Sequence, residues 1–125
     1  MNKLTIKKCL NCGAIVKVIT DCTCEDCGIM CCGNVMTELK PNSVDASIEK
    51  HKPTYMHENG KLKVSVNHVM EEDHFIEWIC LKTPSSEKYV YFKPGELCEA
   101  SFDDVTTGSI YSYCNKHGLW LTTIE

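Results

Sequence analysis

Ten cysteines and five histidines are distributed along this chain in a way that could hold metal. Seven of the cysteines (Cys9, Cys12, Cys22, Cys24, Cys27, Cys31 and Cys32) lie in the first 32 residues, and all five histidines (His51, His57, His68, His74 and His117) come later. Thiolate-rich and imidazole-rich donor sets suit different metal chemistry, so the segregation points to two separate sites. In the first region Cys9-Leu-Asn-Cys12-Gly13 is a C-x2-C knuckle. Two thiolates on one tight turn can grip one ion, and the glycine that follows permits the turn. Two partners for this knuckle are open. Cys31-Cys32-Gly33 offers adjacent thiols, whereas Cys24-Glu-Asp-Cys27-Gly28 repeats the knuckle in the manner of a zinc ribbon. Either pair completes four sulfurs, and spacing does not separate zinc from iron in such a set.

The later region holds the sharper pattern. Cys114-Asn-Lys-His117 presents a thiolate and an imidazole from one turn, His68 and His74 bracket a short acidic loop, and His51 precedes Lys52-Pro53. If these segments meet, one ion receives four imidazoles and one thiolate. Taken singly, each has an ordinary reading: His51 as a solvated loop residue, His68 and His74 as the flanks of an acidic turn, Cys114 as a buried apolar cysteine. His57, at an expected hairpin tip, reads as solvated. Cys80 and Cys98 lie in apolar strand patterns and read as core residues.

The elements that must position these donors are mostly strands. Leu62, Val64 and Val66 alternate with polar neighbours, which is the period of a half-buried strand, and Asn59-Gly60 before them is a tight-turn signal. Phe75 to Leu81 is a second run, with Ile76, Trp78 and Cys80 expected on one face. Tyr89 to Phe92, Cys98 to Phe102, Ile110 to Tyr113 and Leu119 to Ile124 supply four more, with turn signals at Pro84-Ser85-Ser86, Pro94-Gly95, Gly108 and Gly118. No segment shows a sustained helical period. Short strands with regular turns predict an antiparallel β-sandwich. The first 37 residues are too few for a self-sufficient core and call for a metal staple. The predicted organisation is therefore a metal-bound module at 1–37 and a β-sandwich at 38–125, joined near Lys40-Pro41-Asn42-Ser43, which is turn chemistry.

Composition narrows the function classes. The 125 residues carry a formal net charge of −4, which argues against a phosphate-tracking nucleic-acid binder. Lys7 and Lys8 interrupt any apolar run of signal-peptide length at the start, and no stretch reaches the length of a membrane span. A cytoplasmic protein with reduced thiols is expected, in which clustered cysteines hold metal.

Taken together, Cys9-x2-Cys12-Gly, Cys31-Cys32-Gly33-x2-Met36, Glu49-Lys50-His51, His68-x-Met70-Glu71-Glu72-x-His74-x-Ile76-x-Trp78-Ile79, Phe92-Lys93-Pro94-Gly95 and Cys114-Asn115-x-His117-Gly118 resemble the desulfoferrodoxins, the two-iron superoxide reductases. The matching segments run in family order over nearly the whole chain. The resemblance implies a desulforedoxin-like N-terminal module joined to an immunoglobulin-like sandwich, usually as a homodimer. It implies iron at both sites: Cys9, Cys12, Cys31 and Cys32 around the first, and His51, His68, His74 and His117 with axial Cys114 around the second. Glu49 and Lys50 would flank the open face, the glutamate binding the oxidised iron once product leaves and the lysine focusing an anion. The implied reaction is one-electron reduction of superoxide to hydrogen peroxide, detoxifying it in an anaerobe-type cytoplasm, with a small donor such as rubredoxin and neither nucleic acid nor membrane as partner. A non-catalytic iron electron carrier is the alternative, and a zinc-ribbon binding module a more distant one. Two departures from the family pattern stand out. Cys22, Cys24 and Cys27 are extra thiols, and Val69 stands where a proline is common, which removes no ligand but loosens the His68 loop.

Overall fold

The computed structural model describes residues 3–25 and 28–125, with the side chain of Glu49 also outside the description. The expectations for Cys27 and for the Glu49 carboxylate therefore fall outside the described residues. The chain forms two compact units, Lys3–Lys40 and Pro41–Glu125. The described residues contain strands, turns and a single 3-10 turn, and no helix long and apolar enough to cross a membrane.

In the first unit β1 (Ile6–Lys8) pairs antiparallel with β2 (Ile15–Lys17) on one side and with β5 (Thr37–Glu38) on the other. A separate hairpin joins β3 (Met30–Cys31) to β4 (Asn34–Val35). The β1–β2 connection carries the Cys9–Gly13 knuckle, with Gly13 at φ 81°. The two-residue β3–β4 turn is Cys32-Gly33, at φ 54° and 77°. Both central residues of a primed hairpin turn need positive φ; Gly33 takes it freely, while Cys32 bears the steric cost of a Cβ there. Leu4, Ile6, Cys9 and Met36 are buried. So small an apolar set cannot offset the conformational entropy of the segment, which is why a cross-linking ion belongs here.

The second unit is a sandwich. One sheet has the order β10-β7-β6, built from β6 (Thr54–Glu58), β7 (Lys61–Ser65) and β10 (Glu99–Asp103). The other has the order β12-β11-β8-β9, from β8 (Ile76–Thr83), β9 (Ser86–Tyr91), β11 (Gly108–Cys114) and β12 (Gly118–Ile124). All pairs are antiparallel. Leu62 and Val64 from one sheet meet Ile79, Leu81, Ile110 and Cys114 from the other in a single buried cluster.

Two expectations are corrected. Strand β6 is absent from the apolar pattern because it is an edge strand with almost no buried residue; the Asn59-Gly60 turn, at φ 52° and 75°, recruits it through the pair Glu58 and Lys61. Ile76, Trp78 and Cys80 do not share a face. Register shifts between Tyr113 and Cys114, so that Cys114 faces Ile76 while Tyr113 faces Trp78 and Glu77 is the extra residue of a β-bulge. The bulge turns Ile76 into the core beside Ile79 and Leu81 and leaves Trp78 on the other face, stacked with Tyr113. Cys98 lies in the core cluster and Cys80 is buried outside it; burial pushes the Cys98 thiol up to about 12.

Ile79 is fully buried in the middle of this interface. Replacing it with alanine is expected to lower unfolding free energy by about 2–5 kcal/mol in denaturant titration. A loss below about 1 kcal/mol, the range of a volume-conserving swap, would contradict this account of the core.

Candidate metal centre

The local chain around each histidine explains where its ring points. Ser47 leads into the 3-10 turn Ile48–Lys50, which ends at His51. The His51 Nδ1–H donates to the Ser47 carbonyl at 2.7 Å, and the Ser112 hydroxyl donates to the His51 carbonyl at 2.8 Å. The His51 ring stacks on Trp120 at 5.0 Å, and the Trp120 indole N–H donates to the His117 carbonyl. His68 follows β7, and its Nδ1–H donates to the Val69 carbonyl. His74 closes a tight turn through reciprocal backbone bonds with Glu71. Cys114 ends β11 at 0% exposure, and the left-handed Gly118 (φ 82°) lets the chain return as β12 with His117 beside the sulfur.

Five donors, from His51, His68, His74, Cys114 and His117, lie within 4.8 Å of one another. The rings meet edge to edge in cyclic order: His51–His68 at 4.7 Å, His68–His74 at 4.6 Å, His74–His117 at 5.0 Å and His117–His51 at 4.8 Å. The Cys114 sulfur is 3.4 Å from His68 Nε2 and 3.9 Å from His117 Nδ1, and it accepts the His117 backbone N–H at 3.4 Å. The Nδ1–H bonds of His51 and His68 fix their tautomers and turn Nε2 into the donor group, where His51 Nε2 lies 2.9 Å from His117 Nδ1 and His68 Nε2 3.4 Å from the Cys114 sulfur. Burial, reinforced by the neighbouring imidazoles, holds the His51 and His68 pKa values below the usual histidine range, so the rings are neutral at pH 7.

The donor set fits a metal ion. His74 Nε2 is buried without a hydrogen-bond partner among the described residues, and such orphans carry a desolvation cost unless something satisfies them. An ion among these five atoms removes that cost. The family resemblance includes Asn115 without giving it a role, and the structure makes it the clamp of the site. Its Nδ2–H donates to the Asp73 carbonyl at 2.9 Å, its Oδ1 accepts the Phe75 N–H at 3.0 Å, and its own N–H donates to the Phe75 carbonyl. These bonds straddle His74 and tie its loop to the turn that carries Cys114 and His117.

The second donor group is Cys9, Cys12, Cys31 and Cys32, whose sulfurs also lie within 4.8 Å. This resolves the open pairing in favour of Cys31-Cys32. Backbone N–H donation, Cys12 first, pulls the Cys9 thiol down to about 6, whereas the surrounding thiols push Cys31 up to about 12. Four thiolates this close cannot all form without a cation between them. Cys22 is exposed and its N–H caps the Asp21 carboxylate, which also pairs with Lys7; Cys24 is disulfide-bonded. Neither belongs to the four-sulfur group. Lys50 is exposed beside His51. His57 lies apart, exposed on β6 and paired with Asp104.

Asn115→Ala is expected to keep the fold by circular dichroism and weaken metal binding at the histidine site about 10–100-fold in a chelator competition. Unchanged affinity would show that the clamp is dispensable.

Comparison with known proteins agrees with this geometry. The family model described as desulfoferrodoxin matches residues 43–123. A desulfoferrodoxin from Syntrophotalea carbinolica is 41% identical across 94% of both chains, and one from Nitratidesulfovibrio vulgaris 37% identical across 95% of both. Among solved structures, the superoxide reductase of Treponema pallidum superposes with a TM-score of 0.73 at 25% identity, covering 96% of this chain and 98% of that one. The family model covers the histidine-rich unit and the relatives nearly the whole chain, and the chain belongs to the desulfoferrodoxin family.

Proposed function

We propose that this protein is a superoxide reductase carrying two iron ions, catalysing superoxide + e− + 2H+ → H2O2. The observation that carries the reading is the convergence of four imidazoles and the buried Cys114 thiol on one point. A relative whose structure is described as a superoxide reductase shares the fold over nearly the whole chain. His51, His68, His74, His117 and Cys114 would hold the reactive iron, and Cys9, Cys12, Cys31 and Cys32 the other. When bound, the reactive iron supplies the electron and a coordination position for the anion.

The chain's own residues set the conditions for that chemistry. Neutral imidazoles hold a cation without cancelling its charge, so the site attracts an anion although the protein is acidic. Cys114, fully buried at the end of β11, would give that cation an electron-rich thiolate donor, and the density it pushes toward an accepted anion would favour protonation of that anion. The His117 N–H on its sulfur keeps that donor oriented. Glu49 and Lys50 are consecutive residues of the turn that ends in His51, which supports roles beside the open face. Burial is the main cause of the lowered His51 pKa and the Lys50 charge adds to it, so the positive field of Lys50 reaches the site. Residues 1–37 serve as a desulforedoxin-like module and 38–125 as the catalytic sandwich. Family resemblance supports a homodimer, a cytoplasmic setting, a detoxifying role and a small donor such as rubredoxin.

Mixing the ferrous protein with superoxide should generate peroxide without oxygen evolution; failure to form peroxide would leave a non-catalytic electron carrier. Cys114→Ser should erase the histidine-site spectrum and the activity while sparing the sulfur-site spectrum, and Cys31→Ser should do the reverse to the spectra. Lys50→Ala should slow the reaction with superoxide about tenfold and flatten its dependence on ionic strength, measured by pulse radiolysis.

A further inference from the structure

The four-stranded sheet carries a run of aromatic rings on the face turned away from the sandwich core, and the reaction above does not use it. Tyr113, Trp78 and Tyr91 face one another across β11, β8 and β9. Ring centroids are 5.7 Å apart for Tyr113 and Trp78, 5.5 Å for Trp78 and Tyr89, and 6.0 Å for Tyr89 and Tyr91. The run grades from buried to open: Tyr113 and Trp78 are buried, and Tyr91 is 71% exposed. Its inner end is covalently next to Cys114. The β8 bulge matters here, because it puts Trp78 on this face rather than in the core.

Tyrosine and tryptophan are the side chains that most readily lose one electron when hydrogen peroxide is reduced at an iron centre. Electron transfer falls off exponentially with distance, so short ring-to-ring steps outrun one long jump. We propose that Tyr113, Trp78, Tyr89 and Tyr91 form a relay that carries oxidising equivalents from the centre at Cys114 to the protein surface. The relay would spare the ligands when the product, hydrogen peroxide, reacts again with ferrous iron. It rests on the superoxide reductase reading, which supplies both reactants. The balance is Fe(II) + Tyr–OH + H2O2 + H+ → Fe(III) + Tyr–O• + 2 H2O. The peroxide O–O bond breaks, one electron comes from iron and one from a phenol, and the phenol proton and one solvent proton end in water. Tyr89 has a proton acceptor in place, since its hydroxyl donates to Glu87 Oε1 at 3.4 Å. Burial, then the nearby Cys80 and Glu87, hold that phenol protonated well above the usual range, so it gives up its proton only with its electron. At Tyr91 the radical reaches solvent, where a thiol can return it to tyrosine.

The test treats the ferrous, iron-loaded full chain with hydrogen peroxide. Freeze-quench electron paramagnetic resonance reads the radical, and peptide mass spectrometry maps the oxidation. The expected result is a neutral aromatic radical with oxidation at Tyr91 and Tyr89. In Trp78→Phe the Tyr91 oxidation should be lost and damage should move to Cys114 and the histidines. Tyr91→Phe, a change at an exposed ring that the fold tolerates, should keep the radical and shift oxidation to Tyr89. An unchanged oxidation map in both variants, or no aromatic radical in the parent protein, would overturn the relay. Superoxide turnover on the same samples separates the two claims: peroxide formed from superoxide without an aromatic radical sinks the relay alone, and no peroxide sinks the activity.

Discussion

Four imidazoles and one thiol crowd their donor atoms within 4.8 Å of one another, and His74 Nε2 is buried there with no hydrogen-bond partner among the described residues. The sandwich has to hold that arrangement against its own tendency to open. It does so by anchoring the His51 and His68 rings on the side away from the site and by tying down the loops of the others. Carbonyls of Ser47 and Val69 take the outer N–H of His51 and His68, Trp120 backs His51, and Asn115 locks the His74 loop to the Cys114 turn. The His51 segment is tied to the four-stranded sheet through Ser112 on β11 and Trp120 on β12. The rigid sheets thus limit how far the donors can move when an ion arrives or leaves, which is the kind of support that keeps a metal site selective.

The two donor groups solve the same electrostatic problem in opposite ways. Imidazole binds a metal as a neutral ligand, so a bound ion keeps its positive field and the surrounding protein needs little charge compensation. The four sulfurs form a cluster that becomes strongly anionic on deprotonation, and their acidities are uneven, Cys9 lowered first by backbone N–H donation and Cys31 raised by hydrogen bonds with the neighbouring thiols. The first arrangement suits attraction of an anion; the second suits a closed, saturated ion within a unit that has little core of its own.

Much of this was legible in the amino-acid order. The alternation at Leu62, Val64 and Val66 placed β7, and Asn59-Gly60 placed its turn, because period and turn chemistry are local properties. The donor types and their spacing named both groups. Pairing of the sulfur knuckles was undecidable from spacing, since Cys24 and Cys27 repeat the same motif, and only the β3–β4 hairpin brings Cys31 and Cys32 to Cys9 and Cys12. The β8 bulge was invisible because period-2 reading assumes an unbroken ladder, and the extra Glu77 depends on the partner strand. Strand β6 was missed because an edge strand needs no apolar face. The role of Asn115 was hidden because its partners are backbone atoms some forty residues away, Asp73 and Phe75.

The donors of the two centres also differ in how far apart they lie along the chain. All four sulfurs belong to the first 32 residues, whereas the hydrogen-bonded rings of His51 and His117 are 66 positions apart. During synthesis, N-terminal segments emerge and fold first, so the sulfur knuckles can capture an ion while the ribosome is still adding β8. The imidazole ring of donors must wait for β12, which delivers Trp120 to the back of His51. A chain stalled or clipped ahead of Cys114 would carry metal and yet have no reactive centre, so metal content alone does not certify a finished molecule.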